Sequence, residues 1–98
     1  MMQFIQDNYS SSITLDDIAS SAQISKSSAL NYFNEYLHIS PISYLINYRL
    51  KKAAYLLRAT KATITDIAAQ TGFESAGYFC RKFKEKHLTT PGTYRNNI

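Results

Sequence analysis

Apolar residues recur at helical spacing along nearly the whole chain, and nowhere do they alternate as a strand requires. Met1, Phe4 and Ile5, with Ile13 beyond, surround a short first helix ending near Tyr9, and Ser10-Ser11-Ser12 then reads as a loop. Thr14 followed by Asp17 has the spacing of a capping box, with Asp in place of the usual Glu or Gln, and Thr63 with Asp66 repeats it. Each pair opens a helix of about two turns. Ile18 and Ala19, or Ile67 and Ala68, face inward. Gly72 suits the left-handed position that ends the second of these helices. A longer helix follows each turn. With Phe83 at the centre of the buried face and roughly 100° per residue, Phe79 lies beside it. Gly77, Arg81 and Lys84 lie opposite, and Cys80 falls at the margin. In the earlier stretch Ala29, Phe33 and Leu37 face inward, Ser27, Asn31 and Asn34 outward, and Leu30 at the margin.

Ser40-Pro41 and Thr90-Pro91 are N-cap and N1 pairs that start new helices. From the first, Ile42, Leu45, Ile46, Arg49, Ala53 and Leu57 keep one face apolar to about Arg58. That is a rod of roughly 27 Å at 1.5 Å per residue. The second leads to Tyr94 and a frayed tail at Asn96-Asn97-Ile98. The pattern predicts an all-α fold of about seven helices, with two helix-turn-helix units joined by a central linker helix.

The order of elements is duplicated. Thr14-Leu15-Asp16-Asp17-Ile18-Ala19 recurs 49 residues on as Thr63-Ile64-Thr65-Asp66-Ile67-Ala68. Phe33, Pro41 and Tyr44 recur 50 residues on as Phe83, Pro91 and Tyr94. One residue is therefore added inside the second copy, at a turn between helices that each keep their own register. The expected organisation is a first unit over 1–40, a linker over 41–60 and a second unit over 61–98.

Charge sharpens this picture. The net +4 is unevenly placed: residues 1–48 hold Lys26 against Asp7, Asp16, Asp17 and Glu35, or −3. Residues 49–98 hold ten bases against Asp66, Glu74 and Glu85, or +7. The second half is the expected footprint on a polyanion, weighed against a plain solvated basic face. No apolar run approaches the ~20 residues that cross a bilayer, and no secretory signal is present. One cysteine and two distant histidines exclude an internal disulfide and give no metal spacing. Neither a metal nor a cofactor is expected, and the cysteine usage points to the cytoplasm.

The run Gly72-Phe73-Glu74-Ser75-Ala76-Gly77-Tyr78-Phe79-Cys80-Arg81-Lys82-Phe83-Lys84, then Thr90-Pro91 and Tyr94-Arg95, closely resembles the C-terminal signature of the AraC/XylS transcription regulators. Tyr44-Leu45 to Arg49-Leu50, with Ala53 and Leu56-Leu57, looks like that family's linker helix, and Ile18-Ala19 with Ser25 to Phe33 like its first helix-turn-helix. The resemblance spans essentially the whole chain. It implies a bacterial transcription factor domain that inserts two recognition helices, about 26–37 and 75–87, into successive major grooves of double-stranded operator DNA. Base-facing positions would be Ser27, Leu30 and Asn31 in the first unit, and Ala76, Gly77, Cys80 and Arg81 in the second. Lys26, Lys82, Lys84 and Lys86 are the expected phosphate contacts. The family sits at the C-terminus of longer chains, so the resemblance implies a fragment that lacks an N-terminal sensor or dimerisation domain, with RNA polymerase as a further partner.

Some residues depart from the family pattern. His38 and Leu88 stand where the family has Gly, which suits a left-handed cap better, so a different local backbone is expected there. Both histidines are read as C-terminal residues favourable to the helix dipole. Arg49 faces inward, where a structural ion pair is favoured over a DNA contact. Cys80 lacks any partner for thiol chemistry and reads as a small packing residue. The alternative function is a helical protein-interaction module contacting a regulator or polymerase subunit. DNA binding would weaken steeply with salt, and an apolar interface would not. An enzyme is not expected: the DNA-repair proteins that carry a similar domain need a multi-cysteine metal module, and one Cys cannot supply it.

Overall fold

Six hydroxyls begin six of the seven helices. Thr14, Ser25, Ser40, Thr63, Ser75 and Thr90 each accept a backbone N–H from three residues downstream, at 3.0–3.2 Å. Each such bond satisfies a donor that the first helical turn would otherwise leave open, worth typically ~1 kcal/mol. The helices in this computed structural model, which describes residues 1–97, are α1 (Met2–Asn8), α2 (Leu15–Ser21), α3 (Lys26–Leu37), α4 (Pro41–Ala59), α5 (Ile64–Gln70), α6 (Ala76–His87) and α7 (Pro91–Asn96). No strand occurs among the described residues. The capping box is complete at Thr14, where the Asp17 carboxylate accepts the Thr14 N–H at 2.9 Å. At Thr63 only the arm from Asp66 N–H is made. Helix α6 starts at Ala76, one residue later than expected, because Ser75 is its cap.

Two units are distinguishable, Met1–Tyr48 and Arg49–Ile98, with α4 contributing residues to each. In the first, Ile5, Ile18, Phe33 and Leu45 form the core, and Met1, Met2, Phe4, Tyr9, Ile13, Leu37 and Tyr44 pack around it. In the second, Leu50, Ala53, Leu57, Ile67, Phe79 and Phe83 are buried. Thr71 is fully buried there too, and its hydroxyl donates to the Ile67 carbonyl at 2.7 Å, so it leaves no open polar group. Burying each large apolar side chain contributes about 1.5–3 kcal/mol. The buried ridge of α4 differs slightly from expectation. Ile42 stays exposed, Pro41 takes the buried place at the helix start, and Leu45, Leu50, Ala53, Ala54 and Leu57 carry the rest.

The duplicated Phe-Pro-Tyr pattern becomes a duplicated contact. Phe33 meets Tyr44 edge-on at 5.7 Å and 64°, and Phe83 meets Tyr94 at 5.3 Å and 75°. Pro41 and Pro91 are both buried at the helix starts between them. The added residue of the second copy can also be located. Ile24 N–H donates to Ala19 O, and Phe73 N–H to Ala68 O, still 49 residues apart. The caps Ser25 and Ser75 are 50 apart. The insertion is therefore Glu74.

Left-handed backbone ends the helices in both copies. Gly72 (φ 90°) has Gln23 (φ 59°) as its counterpart, and His38 (φ 59°) matches Leu88 (φ 60°). The expectation of a different backbone at His38 and Leu88 is thus corrected. The cap geometry is kept because each N–H still closes a bond, His38 to Asn34 O at 3.2 Å and Leu88 to Lys84 O at 2.8 Å. A non-glycine residue there carries a strain of ~1–2 kcal/mol. Leu88 is also 86% exposed, so its side chain offers little packing in return. Replacing Leu88 with Gly should therefore raise unfolding stability by about 0.5–1 kcal/mol, after the entropy of glycine in the unfolded chain is deducted. Urea denaturation would read this. An unchanged or lowered midpoint would mean that the strain is relieved in a way the backbone angles do not reveal.

Candidate nucleic-acid interface

Each longer helix is pinned by its inner face, and that sets what its outer face presents. In α3, Ala29 and Phe33 are fully buried. Ser27, Asn31 and Asn34 are exposed, and Leu30 is 42% exposed beside them. The three expected base-facing positions of the first unit therefore share one surface. In α6, Phe79 and Phe83 are buried, while Gly77, Arg81, Lys84 and Lys86 are exposed. Ala76 and Cys80 are half-buried at the edge of that surface.

The charged residues are not equally free. Lys26 Nζ lies 3.3 Å from the Asp16 carboxylate, which ties the start of α3 to the start of α2. At that distance and exposure the pair is worth well under 1 kcal/mol, yet it offsets the cation that opens α3. The counterpart of Asp16 is Thr65, so no acid plays that part in the second copy. There the cations gather on a ring. The Arg81 guanidinium lies 5.2 Å from the Tyr78 centroid and the Lys82 ammonium 5.7 Å from it, and Lys82 is also 3.4 Å from Glu85. Each cation–ring contact favours its geometry by about 0.5–1 kcal/mol. The spacing of Tyr78 from Arg81 and Lys82, one helical turn on, is the sequence signal for this cluster.

Arg49 is half-buried, and burial pulls its pKa below the ordinary arginine value, opposed by the charges of Glu74 and Tyr78. The acid it faces belongs to the inserted residue of the α5–α6 turn, not to a helix. Gly77 is the second residue of α6, and a Cβ built there would meet nothing within 4 Å. No internal contact demands glycine there. Among the described residues, no cluster of His, Cys, Asp or Glu could hold a metal, and no helix is long and apolar enough to cross a membrane.

A two-turn helix, a tight turn and a longer capped helix with a polar outer face define a helix-turn-helix, present twice. The chain belongs to the AraC-type helix-turn-helix family of DNA-binding transcriptional regulators: a family model described as a helix-turn-helix domain matches residues 18–97. It is 36% identical over 95 residues to the uncharacterized HTH-type transcriptional regulator YdeC of Bacillus subtilis, covering 97% of this chain and 33% of that protein. It is 37% identical over 97 residues to the transposon Tn10 TetD protein of Escherichia coli, covering 99% of this chain and 70% of that one. The crystal structure of an AraC-type DNA-binding-domain transcriptional regulator from Chromobacterium violaceum superposes with a TM-score of 0.91 at 28% identity, covering 96% of this chain and 84% of that chain. The chain thus spans about a third of the length of the first of these relatives.

His87 departs from its expected role as a charge on the helix dipole. Its ring stacks on Phe83 at 4.2 Å and 27°, lies 5.5 Å from Tyr94, and its buried Nε2 has no hydrogen-bond partner. Burial first, and Lys86 second, hold its pKa below the ordinary 6.5. The aromatic stack favours the neutral ring. The unfolded chain binds the proton more readily, so this residue's contribution is intact above about pH 6.5 and is lost as pH falls toward the lowered folded value. The equivalent place in the first copy is Leu37. His87→Leu should remove the acid sensitivity, which thermal unfolding between pH 7 and pH 5.5 would measure. A melting temperature that falls equally in both proteins would exclude His87 as its source.

Proposed function

We propose that α3 and α6 enter successive major grooves of double-stranded DNA and that a single chain reads an asymmetric site of about two helical turns, whose grooves lie ~34 Å apart. The observation that carries this reading is the outer face of α6, where exposed Arg81, braced on Tyr78, stands one turn from Gly77. A bidentate arginine on guanine is the commonest specific contact, and a glycine lets the backbone approach the groove closely. In the second unit Ala76, Gly77, Cys80 and Arg81 face bases; in the first, Ser27, Leu30 and Asn31 do so. Leu30 suits a thymine methyl and Asn31 an adenine edge. Lys26, Lys82, Lys84 and Lys86 contact phosphates, and the second unit, whose longer helix carries Arg81, Lys82, Lys84 and Lys86 against the single Lys26 of α3, supplies most of the electrostatic affinity. The reading assigns the chain no catalytic role. It acts in the cytoplasm as the DNA-reading part of a longer regulator with a sensor or dimerisation domain and RNA polymerase as a partner, in keeping with the third of its relative that it spans.

Selection from a random DNA pool tests the reading and yields the site. Protection of a half-turn alone, or of palindromic sites only, would refute it. On the selected site, Arg81→Ala should cost about 1–3 kcal/mol and relax preference at one base pair, whereas Lys84→Ala should weaken all sequences alike and lower the salt slope by about one. Equal loss on selected and scrambled DNA would make Arg81 a phosphate contact.

Asp16→Asn releases Lys26 from the one carboxylate it pairs with among the described residues. Affinity for any sequence should rise about two- to threefold at low salt, and the salt slope should steepen by about one if Lys26 then reaches a phosphate. No change in slope would remove Lys26 from the set of phosphate contacts.

A further inference from the structure

The second unit carries a basic groove that DNA reading does not use. Lys51, Ala54, Tyr55, Arg58 and Ala59 of α4 line it together with Tyr94 of α7, around a volume of about 560 Å³. A smaller recess of about 370 Å³ continues from Arg58 past Leu57, Thr60 and Lys61 to Arg95. Among the described residues, four cations and no carboxylate line the two together. One of the four is engaged: Arg95 Nε donates to Leu57 O at 3.0 Å and its Nη2 to Thr60 O at 3.2 Å, closing the carbonyl end of α4. Lys51, Arg58 and Lys61 make no ion pair among the described residues. Between them Tyr55 is 63% exposed, a large ring with little cover.

The groove's place in the fold argues against the DNA that α6 would bind. Tyr94 lies on Phe83, which is the buried side of α6. Gly77, Arg81 and Lys84 are on the opposite, exposed side. A phosphate backbone engaged by that outer face would not reach a groove behind it. We propose that this groove docks an acidic segment of a partner protein. Its carboxylates pair with Lys51, Arg58 and Lys61, and an apolar side chain lies on Tyr55 over the floor of Ala54 and Ala59. Charge complementarity selects the occupant: three uncommitted cations without an acid repel a basic segment and leave a neutral one without ion pairs. The exposed ring supplies the contact that a purely ionic surface would lack.

The test is fluorescence anisotropy of the whole chain with a labelled peptide of alternating glutamate and leucine, against the same peptide with glutamine for glutamate. The acidic peptide should bind at least ten times more tightly. The double substitution Lys51→Glu with Arg58→Glu should abolish that preference and transfer it to a lysine-leucine peptide. Tyr55→Ala, at an exposed position, should weaken the acidic peptide about three- to tenfold without disturbing the fold. Binding of the selected DNA site should keep its salt slope in all variants. Equal affinity for the acidic and glutamine peptides overturns the proposal, as does a reversed groove that gains no lysine-peptide binding. A DNA salt slope that falls by about two in the charge-reversed chain would assign the groove to phosphates instead, while leaving the reading by α6 intact.

Discussion

The edge-on contact between a reading helix's phenylalanine and the tyrosine of the next helix is the constraint on which the rest depends. A helix has one rotational freedom about its axis, and a side chain locked inside fixes it. Phe33 against Tyr44, and Phe83 against Tyr94, do this in the same way in both units. With those rings inside, roughly 100° per residue places Ser27 and Asn31, or Gly77 and Arg81, outside. Surface chemistry is thus a consequence of core packing. Truncating either phenylalanine would remove about 3–5 kcal/mol and also the reference that aims the outer face.

Much of this was legible beforehand for physical reasons. Hydroxyl caps and the Pro residues that follow two of them act through local hydrogen bonds and fixed dihedrals, so Thr14, Ser40, Thr63 and Thr90 mark helix starts without knowledge of the fold. Burial by helical period identified Ile18, Phe33, Ile67 and Phe83. What was not legible depended on tertiary surroundings. The Lys26–Asp16 pair needs two helices brought together. The neutral, stacked state of His87 needs Tyr94 folded over Phe83. The left-handed turn at Leu88 goes against residue preference, since a closing hydrogen bond outweighs a strain of about 1–2 kcal/mol. Which outward residues touch bases is a property of the complex, and periodicity alone does not contain it.

The two copies share a frame and differ in charge. The insertion that separates their registers is Glu74, and it places a carboxylate in the field of the half-buried Arg49. In the first copy the corresponding turn is one residue shorter, and the nearby acid is Asp16, which neutralises Lys26 instead. One acid therefore serves an inward arginine and leaves α6 positive, while the other offsets a cation at the start of α3. The same helix-turn-helix geometry yields a longer helix rich in cations in the second unit and one in which Lys26 and Glu35 balance in the first.

Gly77 leaves bare backbone on the exposed face of α6. None of its neighbours would obstruct a methyl group there. Gly72 is different: its φ of 90° is a conformation that glycine adopts without strain. No contact within the unit accounts for glycine at position 77. Arg81 stands one turn further along the same face, and its guanidinium lies over Tyr78 with no carboxylate partner among the described residues. A bare backbone beside an oriented arginine is suited to close contact with an anionic surface, and the first copy, with Ser27 at the corresponding position, offers a hydroxyl there instead.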